Sequence, residues 1–196
     1  MRIITGQCCV KSFKTMKKIF IITIIMFSFF NKINANYEQL AHEFNFKSID
    51  GGEINLQNYK EKVIVVVNVA SRCGFTPQYE DLQNLWTNYK DKNLIVIGVP
   101  TNNFKQEPGS NKDIKDFCET NFNISFPMTE KIDVIGNNAH PFFKWAKENH
   151  GKSAVPKWNF HKIIIGKNGK VADTFASITK PSSKRFTDLI EAEIKN

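Results

Sequence analysis

The run Lys62–Val69 (KVIVVVNV) constrains this chain more than any other stretch. It is β-branched almost without a break, and a strand carries such residues at both parities only when both its faces are buried. A sheet covered by helices on either side follows. Leu94–Val99 has the same character and predicts a second buried strand. Between them, Pro77–Tyr89 sets Tyr79, Leu82, Leu85, Trp86 and Tyr89 at helical spacing. Thr76 offers a cap for that helix, and Pro77 suits its first position.

The remaining elements complete a recognisable order. Phe44–Ile49 and Glu53–Leu56 flank Asp50-Gly51-Gly52 and predict a small hairpin. Asn111–Asn121 and Pro141–Asn149 read as helices. Lys162–Ile165, the turn Gly166-Lys167-Asn168-Gly169 and Lys170–Phe175 read as a late hairpin, with Ser182–Ile194 as a closing helix. Strand–helix–strand first, then antiparallel hairpin and helix, is the order of an α/β thioredoxin-like fold: a central mixed β-sheet flanked by helices. There is no internal repeat and no linker rich in Pro, Gly or Ser, so residues 36–196 are expected to form one domain.

Residues 1–35 read as an address. Lys17-Lys18 precede the apolar run Ile19–Phe30, and Ile33-Asn34-Ala35 follows, the pattern of a secretory signal peptide cleaved after Ala35. Met16 offers an alternative start. The expectation is export, to a bacterial periplasm; the alternative is an uncleaved segment that anchors the chain to a membrane. The split also disposes of the high overall charge. Residues 1–35 hold six of the 27 basic residues and no acidic ones, leaving 21 against 19 acidic over the rest. A near-neutral body with scattered lysines predicts no nucleic-acid partner.

Without the leader, which takes Cys8 and Cys9 with it, two cysteines remain, Cys73 and Cys118. In an exported chain the plain reading of such a pair is a structural disulfide. The setting of Cys73 argues otherwise. It follows the first buried strand and precedes a helix, and reaction sites of α/β folds lie at the carboxyl ends of strands. A thiolate near a helix N-terminus is favoured by the backbone N–H groups and the dipole. Cys73-Gly74-Phe75-Thr76 keeps the place of a CxxC motif but carries Thr where the second cysteine would stand, so any partner thiol must come from afar. His42, His140, His150 and His161 share no ligand spacing, and no phosphate loop or dinucleotide fingerprint is present, so no cofactor or metal is expected.

Four motifs in register then carry a resemblance: Asn68–Thr76 (NVASRCGFT), Gln106-Glu107-Pro108-Gly109, Phe126-Pro127-Met128 and Trp158–Lys162 (WNFHK). Their order and spacing resemble the glutathione peroxidases, in the form that carries cysteine where other members have selenocysteine. The likeness runs from about Phe44 to the C-terminus. It implies a thioredoxin fold, a hydroperoxide substrate and Cys73 as the nucleophile. Trp158 and Asn159 are implied as neutral hydrogen-bond donors to the sulfur, suited to holding a thiolate without quenching it. The family glutamine that completes the set falls on Asn103, in a loop one residue shorter, Pro100–Lys105 (PTNNFK). Asn103 as a shorter donor, Gln106 in its place, no third donor, or Asn103 as a plain turn residue are all compatible with the sequence.

Cys118, in the context Phe117-Cys118, matches the resolving cysteine of selenium-free members that use thioredoxin. The resemblance thus implies a Cys73–Cys118 disulfide and a thioredoxin-like protein, rather than glutathione, as reductant. The short segment Gly136–Lys157 lacks the loop that assembles tetrameric members, which implies a monomer. A peroxide sensor or thiol–disulfide relay would carry the same residues, and so would a domain in which the two cysteines are only a brace.

Overall fold

The structure is a computed structural model and describes residues 37–196; the segment expected to be a signal peptide, with Cys8 and Cys9, lies outside the described residues. Its centre is a four-stranded mixed sheet built from β3 (Val63–Val69), β4 (Leu94–Pro100), β5 (Lys162–Ile165) and β6 (Val171–Phe175), in the order β4-β3-β5-β6. β3 runs parallel to β4 with Val63 opposite Leu94. It runs antiparallel to β5 with Val67 opposite Lys162, and β5 pairs antiparallel with β6. The hairpin β1 (Asn45–Lys47) and β2 (Glu53–Asn55) stands as a separate two-stranded sheet. Among the described residues four α-helices complete the fold: α1 (Gln78–Tyr89), α2 (Asn111–Phe122), α3 (Pro141–His150) and α4 (Lys184–Lys195).

The valine run does what its composition requires. Every residue of β3 and of β4 is buried. Val63, Val65, Val67 and Val69 enter one apolar cluster with Tyr79 and Leu82 of α1, Ile114 and Cys118 of α2, and Phe186 and Ile190 of α4. Ile64 and Val66 point the other way, into a cluster with Phe46, Ile54, Ile97 and the α3 residues Phe142, Trp145 and Ala146. Strand alternation therefore splits one apolar run between two cores. Each fully buried Val or Ile side chain is worth about 1.5–3 kcal/mol, so this strand is where the stability concentrates.

Two local devices set up the site. Gly98 of β4 donates its N–H to Pro127 O at 2.9 Å and accepts from Thr129 N at 2.9 Å, so the Phe126-Pro127-Met128 segment lies along the strand. A Cβ at Gly98 would stand 2.3 Å from Met128 Sδ, so any larger residue there would have to displace the Met128 side chain. α2 starts with a capping box: Ser110 Oγ accepts from Asp113 N, and the Asp113 carboxylate accepts from Ser110 N.

Candidate active site

Cys73 sits in the turn that leaves β3 and enters α1. The backbone there is folded by Thr76. Thr76 Oγ1 accepts the Cys73 N–H at 3.0 Å and donates to Ala70 O at 2.9 Å. The Thr76 N–H donates to Cys73 O at 3.0 Å. Pro77 then holds the N-cap position and Gln78 opens the helix. The Thr76 hydroxyl thus clamps the cysteine turn and does not cap α1, because in that turn the nearer unsatisfied groups belong to Cys73 and Ala70. The Phe75 N–H points at Cys73 Sγ, 3.4 Å away, and the sulfur residue is 7% exposed. A backbone donor is thus aimed at a barely accessible sulfur at the entrance to α1.

Two other segments are bonded around this turn. Arg72 N donates to Gln106 O at 3.1 Å, directly beside the cysteine. Ser71 gives its N–H and its hydroxyl to Glu107 Oε2, at 2.7 and 2.9 Å. Burial pushes the Glu107 carboxyl up, and the two Ser71 bonds hold it partly back. The side chain of Gln106 reaches across to the second segment: its Oε1 accepts from Asn159 Nδ2 at 2.9 Å. Asn159 is fully buried, and its Oδ1 has no partner. Trp158 beside it is 41% exposed, with its ring 5.5 Å from that of Phe104. The peptide groups of Trp158, Phe160 and His161 are held by Asn68 of β3.

Asn103 makes its bonds elsewhere. Its Oδ1 accepts from Val134 N at 2.7 Å, Ile135 N at 3.2 Å and Thr101 Oγ1 at 3.1 Å, and its Nδ2 donates to Asp133 Oδ1 at 2.6 Å. Every side-chain bond of Asn103 thus serves its own loop and the 133–135 turn, and none reaches the cysteine turn. Gln106, not Asn103, is bonded to both Arg72 and Asn159.

Cys118 lies in α2, 1% exposed, in the same apolar cluster as Cys73; both thiols are free. Burial pushes the Cys118 thiol up to about 11, and the nearby Tyr79 hydroxyl, which has no other partner, offsets part of that rise. At neutral pH such a thiol is ionised to only about one part in ten thousand. In its present position it is a poor nucleophile.

His161 and Lys162, to which the sequence assigns no role, are buried and titratable. Lys162 is fully buried; its ammonium donates to Gln78 Oε1 at 2.5 Å and to Thr179 O at 2.7 Å, and burial lowers it to about 7. The signal was a lysine opening an otherwise apolar strand. His161 is buried with Nε2 unpartnered, and burial, then the charges of Lys162 and Lys157, lower it to about 4. The folded chain therefore resists a proton that the unfolded chain accepts near 6.5. Between those values the unfolded state binds more protons, so stability falls as pH falls, by about 3 kcal/mol from this residue. Urea midpoints measured from pH 7 to 4 should decline less steeply in His161→Gln than in the parent chain.

Comparison with known proteins gives the family. The family model described as glutathione peroxidase matches residues 41–147. A hydroperoxy fatty acid reductase of Synechocystis is 40% identical over 158 residues, 76% of this chain and 94% of that protein. The glutathione peroxidase-like peroxiredoxin 2 of Saccharomyces cerevisiae is 43% identical over 147 residues, 72% of this chain and 90% of the other. Among solved structures, Trgpx in its apo form is 35% identical with a TM-score of 0.64, covering 81% of this chain and 97% of that one. A putative thiol:disulfide interchange protein DsbE from Chlorobium tepidum, at 19% identity and a TM-score of 0.57 over 80% of this chain and 96% of its own, shares the thioredoxin-like fold alone. The chain belongs to the glutathione peroxidase family and is a thiol peroxidase built on a thioredoxin-like fold.

Proposed function

We propose that Cys73 is the peroxidatic residue and that one catalytic cycle runs through both thiols. The Cys73 thiolate attacks the nearer peroxide oxygen; the O–O bond breaks, and the other oxygen leaves, protonated, as water or an alcohol. Sulfur is left as a sulfenic acid. The Cys118 thiol then attacks that sulfur, a disulfide forms, and the sulfenic oxygen departs with the thiol proton as water. A thioredoxin-like dithiol reopens the disulfide by exchange.

The donors in this reading are the Phe75 N–H, the Trp158 indole N–H and the Asn159 carboxamide, with Gln106 as the third side chain and Asn103 as a staple of its own loop. All are neutral, so they stabilise negative charge without giving up a proton. One observation carries the reading: the buried Asn159 amide is bonded to Gln106, whose carbonyl is bonded to the residue preceding Cys73. The half-exposed Trp158, with Phe104 against it, offers an apolar approach for an organic hydroperoxide as well as for hydrogen peroxide. The relative named for hydroperoxy fatty acids supports that substrate class.

The monomer, and export with removal of residues 1–35, belong to the same proposal; N-terminal sequencing of periplasmic protein tests the latter. Peroxide consumption with thioredoxin and its reductase, against glutathione and its reductase, tests the reductant. Faster turnover with thioredoxin is expected. Equal or faster turnover with glutathione would overturn that assignment.

A further inference from the structure

We propose that Asn68 is a positioning residue of the peroxidase site: it clamps a strained turn and so aims Trp158 and Asn159 at Cys73. This rests on the roles given above to Trp158 and Asn159.

Phe160, the residue after Asn159, has φ +63. A bulky side chain in the left-handed region costs about 1–2 kcal/mol and persists only where the surroundings over-determine it. The side chain is fully buried, its ring 5.3 Å from that of Tyr79 and near perpendicular to it. The kink therefore turns Phe160 inward into the core while its neighbours Trp158 and Asn159 remain beside Gln106 and Phe104.

Asn68 supplies the over-determination. Its O accepts from Phe160 N at 2.6 Å, and its N–H donates to His161 O at 3.3 Å. Its side chain adds two bonds on the same turn: Nδ2 donates to Trp158 O at 3.1 Å, and Oδ1 accepts from His161 N at 3.2 Å. Four bonds from one residue thus fix the backbone of Trp158, Phe160 and His161. Asn159 is the one residue in that stretch left without a bond to Asn68, and its carboxamide is the group that meets Gln106. The far end is anchored separately, by Lys162 on Gln78 and Thr179.

Only a side chain with a donor and an acceptor can make both lateral bonds. A valine, which the rest of β3 would favour, makes neither. An aspartate keeps the acceptor for His161 but sets a carboxylate against the Trp158 carbonyl. Since Asn68 lies in β3 and Cys73 in the turn that leaves it, the same strand carries the nucleophile and the clamp on its donors.

The test compares Asn68→Val and Asn68→Asp with the parent chain in three readouts. These are the second-order rate of Cys73 oxidation by hydrogen peroxide, the pH dependence of Cys73 alkylation, and the rate at which dithiothreitol reduces the oxidised enzyme. A donor displaced by about 1 Å costs up to roughly a hundredfold, so oxidation should slow by about ten- to a hundredfold. Alkylation should shift to higher pH, and reduction by dithiothreitol should be unchanged. Unaltered oxidation in a folded variant, oxidation and reduction slowing in proportion, or unfolding of both variants would overturn the positioning role. Trp158→Phe and Asn159→Ala are run in parallel. If they too leave oxidation unaltered, the reading of the site itself fails; if they slow it while the Asn68 variants do not, only the present inference fails.

Discussion

Cys73→Ser should lose peroxide consumption by about a thousandfold or more, with the fold intact. Removing a nucleophile leaves only what binding and the surrounding dipoles can do for the uncatalysed reaction. A serine hydroxyl is isosteric but scarcely ionised near neutral pH, so the Phe75 N–H and the side-chain donors have no anion to stabilise. The turn itself does not depend on the sulfur: Thr76 holds it through the Cys73 N–H and the Ala70 carbonyl, which the substitution leaves in place. Coupled assay rates with near-coincident thermal unfolding of variant and parent are the expected result. Retention of most activity would remove Cys73 from the mechanism.

Cys118→Ser should separate the two halves of the cycle. The first peroxide is consumed at the parent rate, because Cys118 makes no bond to the Cys73 turn. Recycling by thioredoxin then falls by about a hundredfold or more, since among the described residues no second thiol remains to expel the sulfenic oxygen. Mass mapping after peroxide treatment should show a 73–118 disulfide in the parent and sulfenic, then sulfinic, acid at Cys73 in the variant. The buried state of Cys118 adds a kinetic consequence. In the proposed cycle a thiol raised to about 11 and buried within α2 would leave its apolar site before it reacts, so local opening of the helix would gate the second step. Weakening the capping box through Ser110→Ala costs the helix about 1 kcal/mol, enough to raise the open population, and with it disulfide formation, about fivefold. A structural brace predicts the reverse pattern: Cys118→Ser would lower stability and leave peroxide turnover as it was.

Much of the fold was legible because burial leaves a composition behind. Lys62–Val69 and Leu94–Val99 could hardly be anything but doubly covered strands, and the helices begin and end within one or two residues of their periodic patterns. The location of Cys73 was legible for the same reason, since the end of a buried strand is easy to find. The hydrogen-bond assignments were less so. Thr76 is as good a helix cap as any by residue type, and only the folded turn sets its hydroxyl between Cys73 and Ala70. Asn103 falls on the position of a donor by resemblance, yet its carboxamide bonds Asp133, Val134 and Ile135, partners some thirty positions along the chain. Asn68 and Lys162 each stand as the odd polar residue in an apolar strand, a signal that marks them as paired but cannot name partners in segments far along the chain.

The central claim is that neutral donors gathered from separate segments accelerate attack by Cys73 beyond what ionisation alone provides. Stopped-flow oxidation of the reduced enzyme by hydrogen peroxide, measured across pH and divided by the thiolate fraction from parallel alkylation, tests it directly. Preorganised donors of this kind are worth about a hundredfold or more in rate, so the rate per thiolate should exceed that of free cysteine by at least that factor. It should fall back in Trp158→Phe and Asn159→Ala. A rate per thiolate equal to that of free cysteine, unchanged in both variants, would contradict the account.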